Sequence, residues 1–313
     1  MQNSLKNFVK AGQFYKAYKI VEKSYEGKSE EDNVNLYTLF LSLSYTEENI
    51  CAYSFACYLI CADDYSWNHA WAKFILETSF CYINGAYQSA YYHQRKSIEL
   101  DPSNIILQSE LLWFHPLPEN PIGREELREI AKKVLRARPR HKKAAEIIKE
   151  TADLENRGAK RKFSLLRKIK PPLKELIETG RLIRTRNSIA SIDSSALHDL
   201  CIEIATSSKN ICVYDFVWYL MQKKECSLYH EWLAEITQII FNQYNGFQET
   251  LFFHTRRASM LAPQNISLQE KLLDLYKTTP QSFEEGEAHK IAANVLKHLP
   301  ESSIAQKILN TTT

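Results

Sequence analysis

NGAYQSAYYHQRKSIELDPSNIILQSELL, residues 84–112, aligns without a gap on NGFQETLFFHTRRASMLAPQNISLQEKLL, residues 245–273, and 12 of the 29 positions are identical. The register is an offset of 161, and it extends outward. CAYSFACYLICADDYSWNHAWAKFI (51–75) meets CVYDFVWYLMQKKECSLYHEWLAEI (212–236), and about 30 of the 99 positions from 50 to 148 match. A repeat of this kind makes one copy the structural unit of the chain. Upstream, SLKNFVKAGQ (4–13) aligns with PLKELIETGR (172–181) at an offset of 168, so the second copy is about seven residues shorter before Ile211. The sequence therefore predicts two copies, 1–155 and 171–313, joined by a basic linker or bridging helix at 156–170 that runs into Pro171-Pro172.

Inside each copy the apolar spacing is helical. Leu111, Leu112, Ile130, Ala131, Val134 and Leu135 recur as Leu272, Leu273, Ile291, Ala292, Val295 and Leu296. Asn84-Gly85 and Asn245-Gly246 read as turns between antiparallel helices, where a left-handed residue is required. Only 8 glycines occur in 313 residues, which suits long helices on short loops better than a β-sandwich or a dinucleotide-binding fold. The expectation is an all-α chain of stacked antiparallel hairpins, an α-α superhelix, internally duplicated.

These residues resemble a tetratricopeptide repeat. Asn84-Gly85-Ala86-Tyr87 is similar to its turn, Ala90 and Ser97 to its small packing positions, and Leu100-Asp101-Pro102 to its exit. Gly246, Phe247, Ala258 and Pro263 repeat the match, whereas Leu251 replaces the first small residue. Gly12, Phe14 and Ala17 resemble the same turn, and Pro139 and Pro300 close a further hairpin in each copy. The first helix of the family's unit is poorly kept: Phe74 fits, while Glu77, Thr78 and Cys81 do not. The resemblance implies that stacked neighbours bury each hairpin's apolar face, with Ala144–Leu154 and Ser303–Leu309 capping open ends. It also implies a concave groove lined by Ala72, Ile75, Ser79, Tyr82 and Ile83, and by Leu233, Ile236, Ile240, Gln243 and Tyr244. An open groove of this composition suits an amphipathic helix or apolar peptide. A closed one packs against the other copy or an added helix.

Several polar residues recur in both copies: His69 and His230, His93 and His254, Arg95 and Arg256. His93-x-Arg95 reads either as an anion clamp or as a surface pair between hairpins. His69 and His230 lie near helix starts and read as local caps, since no nucleophile or carboxylate partner is placed for a general base. Cys57 and Cys61 stand one helical turn apart, but no CxxC or HxxxH completes a metal set, so neither metal nor cofactor is expected. The seven cysteines sit mostly in apolar runs, as in a reducing compartment, and the N-terminal stretch lacks the apolar core of a secretory signal. A cytoplasmic protein without a membrane span is expected.

No phosphate loop, zinc-protease, serine-hydrolase or calcium-loop motif occurs, so catalysis is not expected. The function predicted is a scaffold that binds a protein or peptide, in a role such as a bacterial immunity protein, a dedicated chaperone or a regulator. The alternative is a nucleic-acid or other anionic partner on residues 124–170, which carry 17 Lys/Arg against 7 Asp/Glu.

Overall fold

Gly85 and Gly246 adopt φ of +80° and +79°, and each opens a fifteen-residue helix, as the Asn-Gly turns require. The computed structural model describes residues 2–25, 36–115, 122–156, 171–190 and 192–310. Among these the chain is helical, with no strand. The helices are α1 (Gln2–Lys10), α2 (Phe14–Tyr25), α3 (Cys51–Ala62), α4 (Ser66–Thr78), α5 (Ala86–Leu100), α6 (Ile105–Glu110), α7 (Arg124–Ala137) and α8 (Lys142–Asn156). There follow α9 (Leu173–Glu178), α10 (Leu182–Ile189), α11 (Ser194–Ser208), α12 (Cys212–Met221), α13 (Ser227–Ile240), α14 (Phe247–Leu261), α15 (Ile266–Leu275), α16 (Glu287–His298) and α17 (Ser303–Asn310). A helical stretch at 36–46 ends in a π-turn at Leu41–Thr46. The linker expected at 156–170 falls, apart from the last residue of α8, outside the described residues.

Neighbouring helices pack as pairs: α1 on α2, α4 on α5, α7 on α8, α13 on α14 and α16 on α17. Pro102, Pro139, Pro263 and Pro300 each lie just past a helix end, where a residue with no N–H and fixed φ terminates the ladder. The end helices α8 and α17 occupy the places read as caps.

α3 and α12 are apolar on almost every side and lie at the centre. A helix that is apolar all round must be enclosed, and here each is enclosed by its own half and by helices of the other half. One apolar cluster runs from Leu5 to Phe253, and a smaller one joins Phe252 to α15, α16 and α17. Contacts across the centre recur at the 161 offset. Ile50 donates its N–H to the Asn245 carbonyl at 2.8 Å, and Ile211 to the Asn84 carbonyl at 2.9 Å. Asn245 Nδ2 donates to the Glu47 carbonyl and Asn84 Nδ2 to the Ser208 carbonyl, both at 2.9 Å.

Candidate functional site

Tyr53 of α3 and Tyr214 of α12 are fully buried, their ring centroids 6.2 Å apart. Each carries its hydroxyl to a histidine of its own half: Tyr53 Oη is 3.2 Å from His93 Nε2, and Tyr214 Oη is 3.0 Å from His254 Nε2. Behind each stands a second histidine, with His69 Nδ1 2.9 Å from His93 Nδ1 and His230 Nδ1 3.0 Å from His254 Nδ1. An acid at the rim closes each chain. His69 Nε2 lies 2.8 Å from Asp64 Oδ1, and His230 Nε2 3.0 Å from Glu225 Oε1. Two carboxylate–histidine–histidine–tyrosine chains thus run from half-exposed acids into the core.

At their inner ends the two chains differ. In the second half Tyr214 Oη meets Ser54 Oγ at 3.0 Å, two hydroxyls that each can donate and accept. In the first half the position 161 residues after Ser54 is Asp215, and both Tyr53 and Ser89 donate to its carboxylate. Cys57 lies beside them, and its Sγ, a His93 ring nitrogen and an Asp215 oxygen fall within 4.8 Å of one another, all three residues buried.

Burial sets the protonation of these groups. It pushes His69 down to about 4, against the pull of Asp64, and it lowers His230 against the pull of Glu225. It holds His254 well below the usual imidazole range, helped by the neighbouring His230. Hydrogen bonds from Arg257 and then His230 draw Glu225 down to about 2. Burial, with Asp215 next in effect, pushes the Cys57 thiol well up.

Burial holds His230 and His254 below the ordinary imidazole pKa of about 6.5 in the folded chain, and both regain that value when it unfolds. Below that value the unfolded chain binds more protons, so their contribution, complete above pH 6.5, is lost as the pH falls. The depressed Glu225 adds a further loss below about pH 4.5. The urea midpoint is expected to drop between pH 7.5 and pH 5, and less so in His254→Gln. A midpoint that is flat or rises over that interval would contradict buried neutral imidazoles.

A pocket of about 510 Å³ opens beside α3 and α14, lined by Gly12–Lys16, Tyr58, Phe253, Arg256, Arg257, Met260 and Glu284. Phe14 forms its floor, with ring centroids 5.6 Å from Phe55 and 4.4 Å from Phe253. Tyr15 and Met260 stand at its mouth, 63% and 60% exposed. Lys16 pairs with Glu284 at 3.2 Å, Arg256 with Glu287 at 2.8 Å, and Arg257 bidentately with Glu225 at 2.7 Å.

The groove expected from the repeat is filled. Ala72, Ile75, Ser79, Ile83, Leu233, Ile236 and Ile240 are buried, because α4 also packs on α3 and the π-turn, and α13 on α11 and α12. Tyr82 and Gln243 remain exposed and Tyr244 half-buried, with the two tyrosine rings 5.9 Å apart. His93 and Arg95 form no clamp. His93 turns into the core while Arg95 pairs outside with Glu126, since residues two apart on a helix do not share a face. His254 and Arg256 separate in the same way. His69 and His230 do not cap their helices but cross to the next helix of the hairpin. Arg136, Arg138, Arg140 and Lys142, at the turn from α7 to α8, are exposed, and the rest of the basic segment beyond Asn156 lies outside the described residues. Asp215 escaped the sequence reading. Its signal was a single carboxylate inside the apolar run CVYDFVWYLM.

Compared with known proteins, the chain matches no family model, no curated protein and no solved structure. What stands is an all-α chain of helices packed in neighbouring pairs, compatible with a helical repeat. None of its described helices is long and apolar enough to cross a membrane.

Proposed function

We propose that this chain is a non-catalytic helical-repeat scaffold, duplicated and built of hairpins of tetratricopeptide type, that holds a protein partner through one of its peptide segments. The pocket beneath Tyr15 and Met260 carries this reading: its floor is aromatic, it is open, and its volume of about 510 Å³ accommodates a large apolar side chain. Aromatic anchors seated in such pockets supply most of the energy of protein interfaces. Its three cations, Lys16, Arg256 and Arg257, are each already paired with a glutamate, Glu284, Glu287 and Glu225. The segment that fits is therefore one that presents a large apolar anchor.

Selection from a random peptide display library should enrich a large apolar residue at one fixed position. Because Tyr15 and Met260 are exposed, Tyr15→Ser combined with Met260→Ser leaves the fold intact. It should weaken the best peptide about 30-fold in fluorescence anisotropy, as loss of a hot spot worth about 2 kcal/mol does. A library that yields no such pattern, or a double variant that binds equally well, would remove the pocket from the function.

A further inference from the structure

The inner ends of the two histidine chains occupy equivalent positions in the sequence but carry different chemistry. Around His254 the neighbours are Tyr214, Ser54 and Trp218. Around His93 they are Tyr53, Asp215 and Cys57. Serine and tryptophan at one end show that the fold itself does not need a carboxylate and a thiol at this place, yet both occur together at the other.

The Asp64 carboxylate accepts, so His69 bears its proton on Nε2 and offers Nδ1 as an acceptor. His93 then donates from Nδ1, which leaves the Nε2 lone pair pointing at the cluster. Tyr53 and Ser89 each have one hydroxyl proton, and both are given to Asp215. His93 Nε2 and the Asp215 carboxylate therefore converge as acceptors beside the Cys57 thiol, around a cavity of about 10 Å³, room for one ion. A carboxylate held in the core by neutral hydroxyl donors and no cation is costly.

We infer that Cys57, His93 and Asp215 bind one zinc-class divalent ion, which ties the first half of the chain to the second. Sulfur, imidazole and carboxylate are the donor set of tetrahedral zinc. With bonds of about 2.0–2.3 Å, two ligands on one such ion stand about 3.3–3.8 Å apart, and His93 Nε2 is 3.7 Å from Asp215 Oδ2. Tyr53 Oη, which donates to Asp215 and lies 3.2 Å from His93 Nε2, borders the site. Binding expels the Cys57 thiol proton to solvent, and the thiolate and carboxylate then balance the 2+ charge, so the buried site is neutral. His69, held by Asp64, is the outer partner that keeps the His93 ring oriented, as metal-bound histidines require. The site lies apart from the peptide pocket and does not depend on its role.

The test uses the untagged full chain. Zinc is added, unbound metal is removed, and the bound ion is counted by mass spectrometry; cobalt(II) serves as a spectroscopic probe. One ion per chain and a thiolate-to-cobalt charge-transfer band are expected. Cys57→Ser and Asp215→Ser should each weaken binding by more than the about 100-fold typical of losing an outer partner, while Cys226→Ser leaves it unchanged. Asp215→Ser copies what Ser54 already does in the other half, and circular dichroism identifies a variant that has not folded. No bound metal in the native chain, a cobalt spectrum without the thiolate band, or undiminished binding in either folded variant would overturn the assignment.

Discussion

Phe14→Ala is expected to cost about 3–5 kcal/mol, the range for emptying a buried aromatic site. Phe14 is fully buried. Its ring lies between helices of both halves, 5.6 Å from Phe55, 6.2 Å from Tyr58 and 4.4 Å from Phe253. The neighbours cannot relax into the space easily. Gly12, two residues upstream, presses on the Glu249 carbonyl so closely that a Cβ there would stand 3.1 Å from the carbonyl carbon, and Gln13 is tied to the Ser282 carbonyl at 3.0 Å. Phe14→Leu, which keeps most of the volume, should cost about 1–2 kcal/mol. Urea denaturation of both variants measures the pair. An Ala variant within about 1 kcal/mol of the native chain would mean that the N-terminal hairpin is not part of the shared core.

Gly85→Ala should cost about 3–4 kcal/mol, whereas Gly286→Ala should cost only about 1–2. Both glycines have positive φ, +80° and +70°, so the backbone penalty is common to them. They differ in what surrounds them. A Cβ on Gly286 meets nothing within 4 Å, but one on Gly85 would stand 2.7 Å from Asn210 Cγ. Asn210 cannot move freely, because its Oδ1 accepts from the Cys212 N–H at 2.9 Å and its Nδ2 donates to the Glu178 carbonyl at 3.0 Å. Displacing it breaks two hydrogen bonds of a buried side chain, at about 1 kcal/mol each. Thermal or urea unfolding of the two variants side by side reads the difference, and equal losses would show that the Asn210 clasp contributes nothing. Gly246 meets Asn49 in the same geometry, so its Ala variant should match Gly85→Ala.

The elements were legible in the sequence because each is determined locally. The 3.6-residue spacing around Val134 and Val295, the left-handed turn that only Gly85 and Gly246 supply cheaply, and the prolines after α5, α7, α14 and α16 act within a few residues. The recurrence of His69 and His93 as His230 and His254 was equally plain at the 161 offset. What those histidines face was not, since Asp215 lies 122 positions from His93 and reaches it only when α12 lies against α3 and α5. The filled groove has the same origin. Periodicity shows that Ile75 and Ile236 lie on an apolar face, but whether that face meets solvent or another helix depends on elements far along the chain. Local backbone preferences determined the helices and turns by themselves; the buried cluster and the pocket floored by Phe14 arose only from the packing of one half on the other, because side-chain contacts across the core carry no periodic signal in the sequence.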